Sequence, residues 1–124
     1  MAKNKKILVA EDEKSLAHAM QLKLSHAGFE VKVVNNGEEL LEALKEGGYD
    51  LIVTDLIMPK MDGFALMEAL KAQNNKIPVV VTSNLGQDED IKRAKSLGAV
   101  DYLIKSNMPI AEIVQQIEKI LKTK

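Results

Sequence analysis

The sequence predicts an α/β domain: a five-stranded parallel sheet with helices on both faces. Three observations carry that prediction. Short apolar runs alternate with segments of helical period along the whole chain, five of each. Such alternation marks βα units, whose crossover helices cover a parallel sheet. The first, third and fourth strand runs are apolar almost throughout, as strands buried on both faces are. No linker, repeat or low-complexity tract interrupts the pattern, so the 124 residues are read as one domain, 1–124, with no effector domain.

The elements follow in order. Ile7-Leu8-Val9-Ala10 is the first strand and ends at Glu11-Asp12. Leu16, Met20 and Leu24 recur every four residues, with Ala27 closing the stripe of a first helix that Gly28 stops. Val31, Val33 and Val34 form the second strand, and Lys32 turns outward, as at a sheet edge. Leu40, Leu41 and Leu44 give a short second helix ended by Gly47-Gly48. Leu51–Thr54 is the third strand and ends at Asp55. Phe64, Met67 and Leu70 mark a third helix, opened by Asp62-Gly63. Ile77–Thr82 is the fourth strand, with Pro78 near its start because proline cannot donate to the ladder. Ile91, Ala94 and Leu97 give a weaker fourth helix ended by Gly98. Val100–Ile104 is the fifth strand and ends at Lys105. Ile110, Ile113, Val114, Ile117, Ile120 and Leu121 form the cleanest apolar face, in a last helix with Pro109 in its first turn.

Composition removes several function classes. Lys and Arg number 17 against 18 Asp and Glu, a net charge of -1, which argues against a general nucleic-acid or anionic-membrane surface. The absence of cysteine excludes disulfides, thiolate zinc sites and cysteine nucleophiles. No apolar stretch approaches the ~20 residues of a membrane span. The start, Met1 to Lys6, is basic, but the apolar run Ile7–Ala10 is too short for a signal peptide. The protein is therefore read as cytoplasmic, and its first lysines as solvated.

In an open parallel sheet, ligands bind beyond the carboxyl ends of the strands, where strand order reverses. For the order 2-1-3-4-5 that point lies between strands 1 and 3, so Glu11, Asp12 and Asp55 converge. Two such charges about 4 Å apart repel by about 4 kcal/mol at an effective dielectric near 20. A hard divalent cation removes that cost, and Mg²⁺ suits an all-oxygen ligand set. Ser83 ends the fourth strand and Lys105 the fifth. A hydroxyl and an ammonium facing metal-bound carboxylates make a place for a phosphoryl group, with a carboxylate able to act as nucleophile. Thr82 competes with Ser83, but successive strand residues point to opposite faces, so only one can serve.

These residues resemble the receiver domains of two-component response regulators. The resemblance runs through Glu11-Asp12, Asp55 with Leu56-Ile57-Met58-Pro59-Lys60-Met61-Asp62-Gly63, Ile77-Pro78-Val79-Val80-Val81-Thr82-Ser83, and Gly98-Ala99-Val100-Asp101-Tyr102-Leu103-Ile104-Lys105. It covers essentially the whole chain and implies a flavodoxin-like fold. It also implies that Asp55 accepts a phosphoryl group from a sensor histidine kinase or phosphotransfer protein. Asp12 and Asp55 would ligate Mg²⁺ directly, Glu11 through water, and the Ile57 carbonyl would be a further ligand. Lys105 would contact the phosphoryl group. Ser83 would move towards it and Tyr102 would turn inward, remodelling the face of helix 4, strand 5 and helix 5 for a downstream output protein. The family's hydroxyl spacing favours Ser83, five residues after Pro78 and 22 before Lys105, which leaves Thr82 to packing. The chain would catalyse only its own phosphorylation and dephosphorylation, as a monomer or a phosphorylation-dependent homodimer.

Three departures from the family stand out. Ser106 follows Lys105 where the family usually has proline, often after a cis peptide. A cis bond before a non-proline costs about 3 kcal/mol, so the Ser106–Met108 loop is expected to take its own path. Asn84 replaces a small residue. Ile57 and Leu85 hold the two positions that tune loss of phosphate; both are apolar and unable to orient water, which implies a long-lived aspartyl phosphate. An aspartate-nucleophile phosphatase of the haloacid dehalogenase type is the alternative, but it would carry a second Asp where Ile57 stands. A degenerate, phosphate-independent module is disfavoured by the intact Asp12, Asp55 and Lys105. His18 and His26 are read as surface residues. Met58, Met61, Met67 and Met108 are read as packing.

Overall fold

In the computed structural model, which describes residues 5–58, 60–84 and 87–122, five strands form one sheet. They are Lys6–Ala10 (β1), Glu30–Val34 (β2), Leu51–Thr54 (β3), Val79–Ser83 (β4) and Ala99–Ile104 (β5). Helices Lys14–His26 (α1), Gly37–Leu44 (α2), Gly63–Ala72 (α3), Asp88–Ser96 (α4) and Ile110–Lys122 (α5) alternate with them. The strand order is β2-β1-β3-β4-β5, and every neighbouring pair is parallel. The order reverses at β1, so a crevice opens between the ends of β1 and β3.

Strand alternation divides the core in two. Leu8, Ile52, Val79 and Val81 face one side, where Leu40 of α2, Leu66 and Met67 of α3 and Ala94 of α4 meet them. Ile7, Val9, Leu51, Val53 and Val80 face the other, against Met20 and Leu24 of α1 and Ile113 and Ile117 of α5. Full burial of each large aliphatic side chain contributes about 1.5–3 kcal/mol, so the two layers fix which way every strand residue points. That fixed alternation decides which side of the sheet each site residue occupies.

Helix ends are set by local chemistry. The α1 terminus is a Schellman motif: Phe29 N–H donates to the Leu24 carbonyl and Gly28 N–H to that of Ser25, with Gly28 at φ 101°. The Asn36 side chain caps α2 by accepting from Glu39 N–H at 2.9 Å, and the Glu39 carboxylate accepts in return from Asn35 N–H. Asp62 caps α3 by accepting from Ala65 N–H at 2.8 Å.

Several expected boundaries shift. Ala27 is exposed and lies just past α1, because the helix has already turned into its cap. The second helix ends at Leu44, before Gly47-Gly48, through turn bonds at Glu46 and Gly47. β4 starts at Val79, after Pro78, and runs on to include Ser83. β5 begins one residue early, at Ala99. Pro109 lies outside α5, and its carbonyl accepts the Ile113 amide. Between β5 and α5 the chain makes a 3-10 turn, Lys105–Asn107, that the hydrophobic pattern does not signal.

Candidate functional site

Register brings the site together. Ala10 of β1 pairs with Thr54 of β3, so Glu11 and Asp55 leave the sheet side by side. The Asp55 amide donates to the Ala10 carbonyl at 3.2 Å, and the Glu11 amide to that of Val34 at 3.0 Å. Ser83 pairs with Ile104, which puts Lys105 one step beyond the end of β4.

Lys105 spans the crevice. Its Nζ lies 2.9 Å from Glu11 Oε1 and 2.9 Å from Asp55 Oδ2. The Lys105, Glu11 and Asp55 side chains are only 8%, 1% and 10% exposed, so these charges answer to each other more than to water. Burial raises the Glu11 pKa above the ordinary carboxylate value, against the pull of Lys105. Burial also works against the Lys105 charge, but hydrogen bonds and charges from Asp55 and Glu11 outweigh it and raise the lysine's pKa.

The remaining carboxylate oxygens are held by backbone. Glu11 Oε2 accepts from Glu13 N–H at 3.2 Å. Asp55 Oδ1 accepts from Leu56 N–H at 2.7 Å and, more weakly, from Ile57 N–H at 3.4 Å. The Asp55 carboxylate is therefore oriented at both oxygens, by the loop on one side and by Lys105 on the other.

Glu11, Asp12 and Asp55 offer carboxylate oxygens that all lie within 4.8 Å of one another. Two full charges at that separation repel by roughly 3–4 kcal/mol at an effective dielectric near 20. Three carboxylates against the one Lys105 ammonium leave a formal charge of -2. An all-oxygen set with that residual charge fits a hard divalent cation such as Mg²⁺. Asp12 is exposed, so the cluster opens to solvent on its side.

Ser83 and Thr82 are both 1% exposed, but alternation separates them. Ser83 falls on the face of Val79 and Val81, and Thr82 on that of Val80. Tyr102, opposite Val81, is half-buried, packs on the first of these faces and shares a side-chain hydrogen bond with Ser83. Burial, with the charges of Asp90 and Asp55, raises the Tyr102 pKa despite that bond.

Other expectations fall as follows. Ile57 is 60% exposed, so an apolar side chain lies at the surface two residues after Asp55. Asn84 is exposed and lines a cavity of about 420 Å³ with Glu13, Lys105 and Met108. Leu85 and Pro59 lie outside the described residues. His18 and His26 are exposed on α1, while Met58 and Met67 are buried and Met61 and Met108 pack against the two core layers. No peptide bond among the described residues is cis. Missing from the sequence reading were the direct Lys105–Glu11 bridge and the two loop amides on Asp55. The bridge has no sequence signal, since Glu11 and Lys105 are 94 residues apart.

Residues 7–118 match the response regulator receiver domain model. The chain is 34% identical over 119 residues to the alkaline phosphatase synthesis transcriptional regulatory protein PhoP of Bacillus subtilis, covering 96% of this chain and 49% of that protein. It is 32% identical over 117 residues to the transcriptional regulatory protein CusR of Escherichia coli, covering 94% of this chain and 51% of the relative. The chain thus spans about half the length of these relatives. Among solved structures, the receiver domain of the Francisella response regulator 1452 superposes with a TM-score of 0.89 at 34% identity, over 98% of this chain and 100% of that one. These matches span both core layers and all four strand ends that carry the site, and the chain belongs to the response regulator receiver domain family.

Proposed function

We propose that this domain receives a phosphoryl group on Asp55 from a histidine kinase or a phosphotransfer protein, and that the modified domain binds an output partner. The observation that carries the reading is Lys105 bridging Glu11 and Asp55 beside an oxygen cluster of net negative charge. A buried carboxylate oriented by two amides is poised as a nucleophile. An Asp55 oxygen attacks phosphorus, the bond from phosphorus to the donor imidazole breaks, and the acyl phosphate keeps the group. Glu11, Asp12, Asp55 and the Ile57 carbonyl would hold Mg²⁺, which supplies positive charge for the phosphoryl oxygens. The Lys105 ammonium is close enough to Asp55 to follow one of those oxygens, and Ser83 would donate to another.

The switch we assign to Ser83 and Tyr102. Their side chains already share a hydrogen bond, so a Ser83 drawn to the phosphoryl group pulls on Tyr102 and on the surface of α4, β5 and α5. With apolar Ile57 beside Asp55, the acyl phosphate is expected to be long-lived. The reading places the domain in the cytoplasm, as a signalling module with no turnover of outside substrates; no helix among the described residues is long and apolar enough to cross a membrane. A haloacid dehalogenase-type phosphatase gains no support, since the exposed position two residues after the nucleophile is Ile57.

The test is incubation with Mg²⁺ and acetyl phosphate followed by intact mass. A stable gain of one phosphoryl group, lost in Asp55→Asn, is expected. No gain in the native chain would refute the acceptor role, and a gain that decays within seconds would refute the long lifetime.

A further inference from the structure

The loop that follows Asp55 doubles back on the acceptor. Gly63, the first residue of α3, donates its amide to the Leu56 carbonyl at 2.8 Å. A β-carbon on Gly63 would lie 2.5 Å from the Asp55 carbonyl oxygen and 2.8 Å from the Leu56 α-carbon. Both are backbone atoms, so no rotamer change relieves the clash. The far side of the loop meets Gly37, the first residue of α2. A β-carbon there would lie 2.9 Å from Met61 Cγ and 3.0 Å from the Met61 carbonyl oxygen. Neither glycine has a positive φ, so what each position requires is space and not backbone freedom.

We propose that Gly63, backed by Gly37, is a positioning residue for the acceptor: the missing side chains let α3 and α2 close on this loop and fix the amides that orient the Asp55 carboxylate. The inference rests on the reading of Asp55 as phosphoacceptor. Leu56 N–H is well placed on Asp55 Oδ1 at 2.7 Å, but Ile57 N–H at 3.4 Å is already near the limit of a hydrogen bond. A displacement of a few tenths of an ångström breaks the second bond and turns the carboxylate. The Ile57 carbonyl, assigned to the metal, moves with the same backbone. Misplacement of a reacting group by about 1 Å can lower a rate by ~10²-fold. Gly37 acts more weakly, because Met61 Cγ is part of a flexible side chain.

The experiment follows phosphorylation by acetyl phosphate with Mg²⁺ in the whole chain, reading rate against donor concentration by intact mass. Circular dichroism and urea unfolding report whether each variant is folded. Gly63→Ala is expected to keep its fold and lose about 10- to 100-fold in rate at saturating donor. Gly37→Ala is expected to lose less, and Gly37→Ala with Met61→Ala to recover part of the loss. A folded Gly63→Ala at the native rate overturns the proposal. If Gly63→Ala fails to fold, native rates in both Gly37→Ala and its Met61→Ala double variant overturn it. Should the native chain itself gain no phosphoryl group, the acceptor reading fails instead. The Leu56 amide resonance, compared between native and variant chains with Mg²⁺ alone, then decides the positioning claim: an unmoved resonance overturns it.

Discussion

The two ends of the sheet carry similar side chains and make opposite use of them. Beyond the carboxyl ends of the strands, Lys105 joins Glu11 and Asp55, all nearly buried, with Asp12 alongside. At the amino ends, Tyr49 donates to Glu46 at 2.8 Å, Lys32 pairs with Glu46 at 2.7 Å, and Lys6 lies 4.5 Å over the Tyr49 ring. Asp50 accepts from the Lys6 amide at 2.9 Å. In the second set Lys6 and Lys32 balance Glu46 and Asp50, and the Lys32–Glu46 pair is half exposed. The first set is left with a formal charge of -2. A polar network whose charges cancel in contact with water is sufficient for structure. One that is mostly buried, opens to water only at Asp12 and is out of balance is suited to a positive charge from outside the chain, and that imbalance distinguishes the site from the scaffold.

The largest expected effect tests burial. Lys105→Met leaves Glu11 and Asp55 buried without their ammonium, and breaking a buried pair in this way costs about 3–5 kcal/mol. Lys32→Met removes a half-exposed partner, worth at most about 1 kcal/mol. Urea unfolding of both variants in metal-free buffer measures the contrast. Equal losses would break the comparison. Phosphorylation should fall by about 10²-fold or more in Lys105→Met and stay native in Lys32→Met, because the contact proposed between an ammonium and the transferring group belongs only to the first site.

Next in size is the response to the missing charge. Mg²⁺ at about 100 times its dissociation constant should stabilise the fold by about 2.7 kcal/mol, since on the proposed reading it would bind the assembled carboxylates and not the unfolded chain. Asp12→Asn should remove most of that gain, whereas Glu46→Gln should leave it intact. A thermal or urea midpoint that Mg²⁺ does not move would show that Lys105 alone satisfies the cluster.

Legibility followed the same division. The sheet and all five helices could be anticipated because apolar period and strand–helix alternation are local properties of the sequence, whereas the strand order is not local and was implied by the resemblance to receiver domains. Asp55, Glu11-Asp12, Ser83 and Lys105 stood out because each directly ends an apolar run, and register then places them together. Boundaries failed where backbone bonds overrule hydrophobicity: Pro78 delays β4, and a turn closes α2 before its glycines. The Lys105–Glu11 bridge was invisible because it depends on three-dimensional register between distant strands. The space required at Gly63 left only an indirect trace. Asp62-Gly63 reads as a cap, and nothing in that pair says that Asp55 backbone lies against it.

The smallest expected effects lie at the amino ends, where pH separates the partners. Hydrogen bonds from Lys32 and Tyr49 lower the Glu46 pKa, so its stabilising contribution is present above pH 4.5 and fades as pH falls through the lower folded value. Burial, then the bond to Glu46, pushes Tyr49 up to about 12 from an ordinary 10.0. Its contribution is therefore complete below pH 10.0 and is lost as pH rises towards about 12. Tyr49→Phe keeps the ring under Lys6 and deletes only the hydroxyl, so it should cost about 1 kcal/mol at neutral pH. It should also flatten the alkaline limb of stability against pH and leave phosphorylation by acetyl phosphate at the native rate. Denaturant midpoints across the pH range, with phenolate absorbance as the titration signal, measure all of this. If Tyr49→Phe slowed phosphorylation, the amino-end network would be coupled through β1 or β3 to the site, and the division between a balanced scaffold and an unbalanced site would fall.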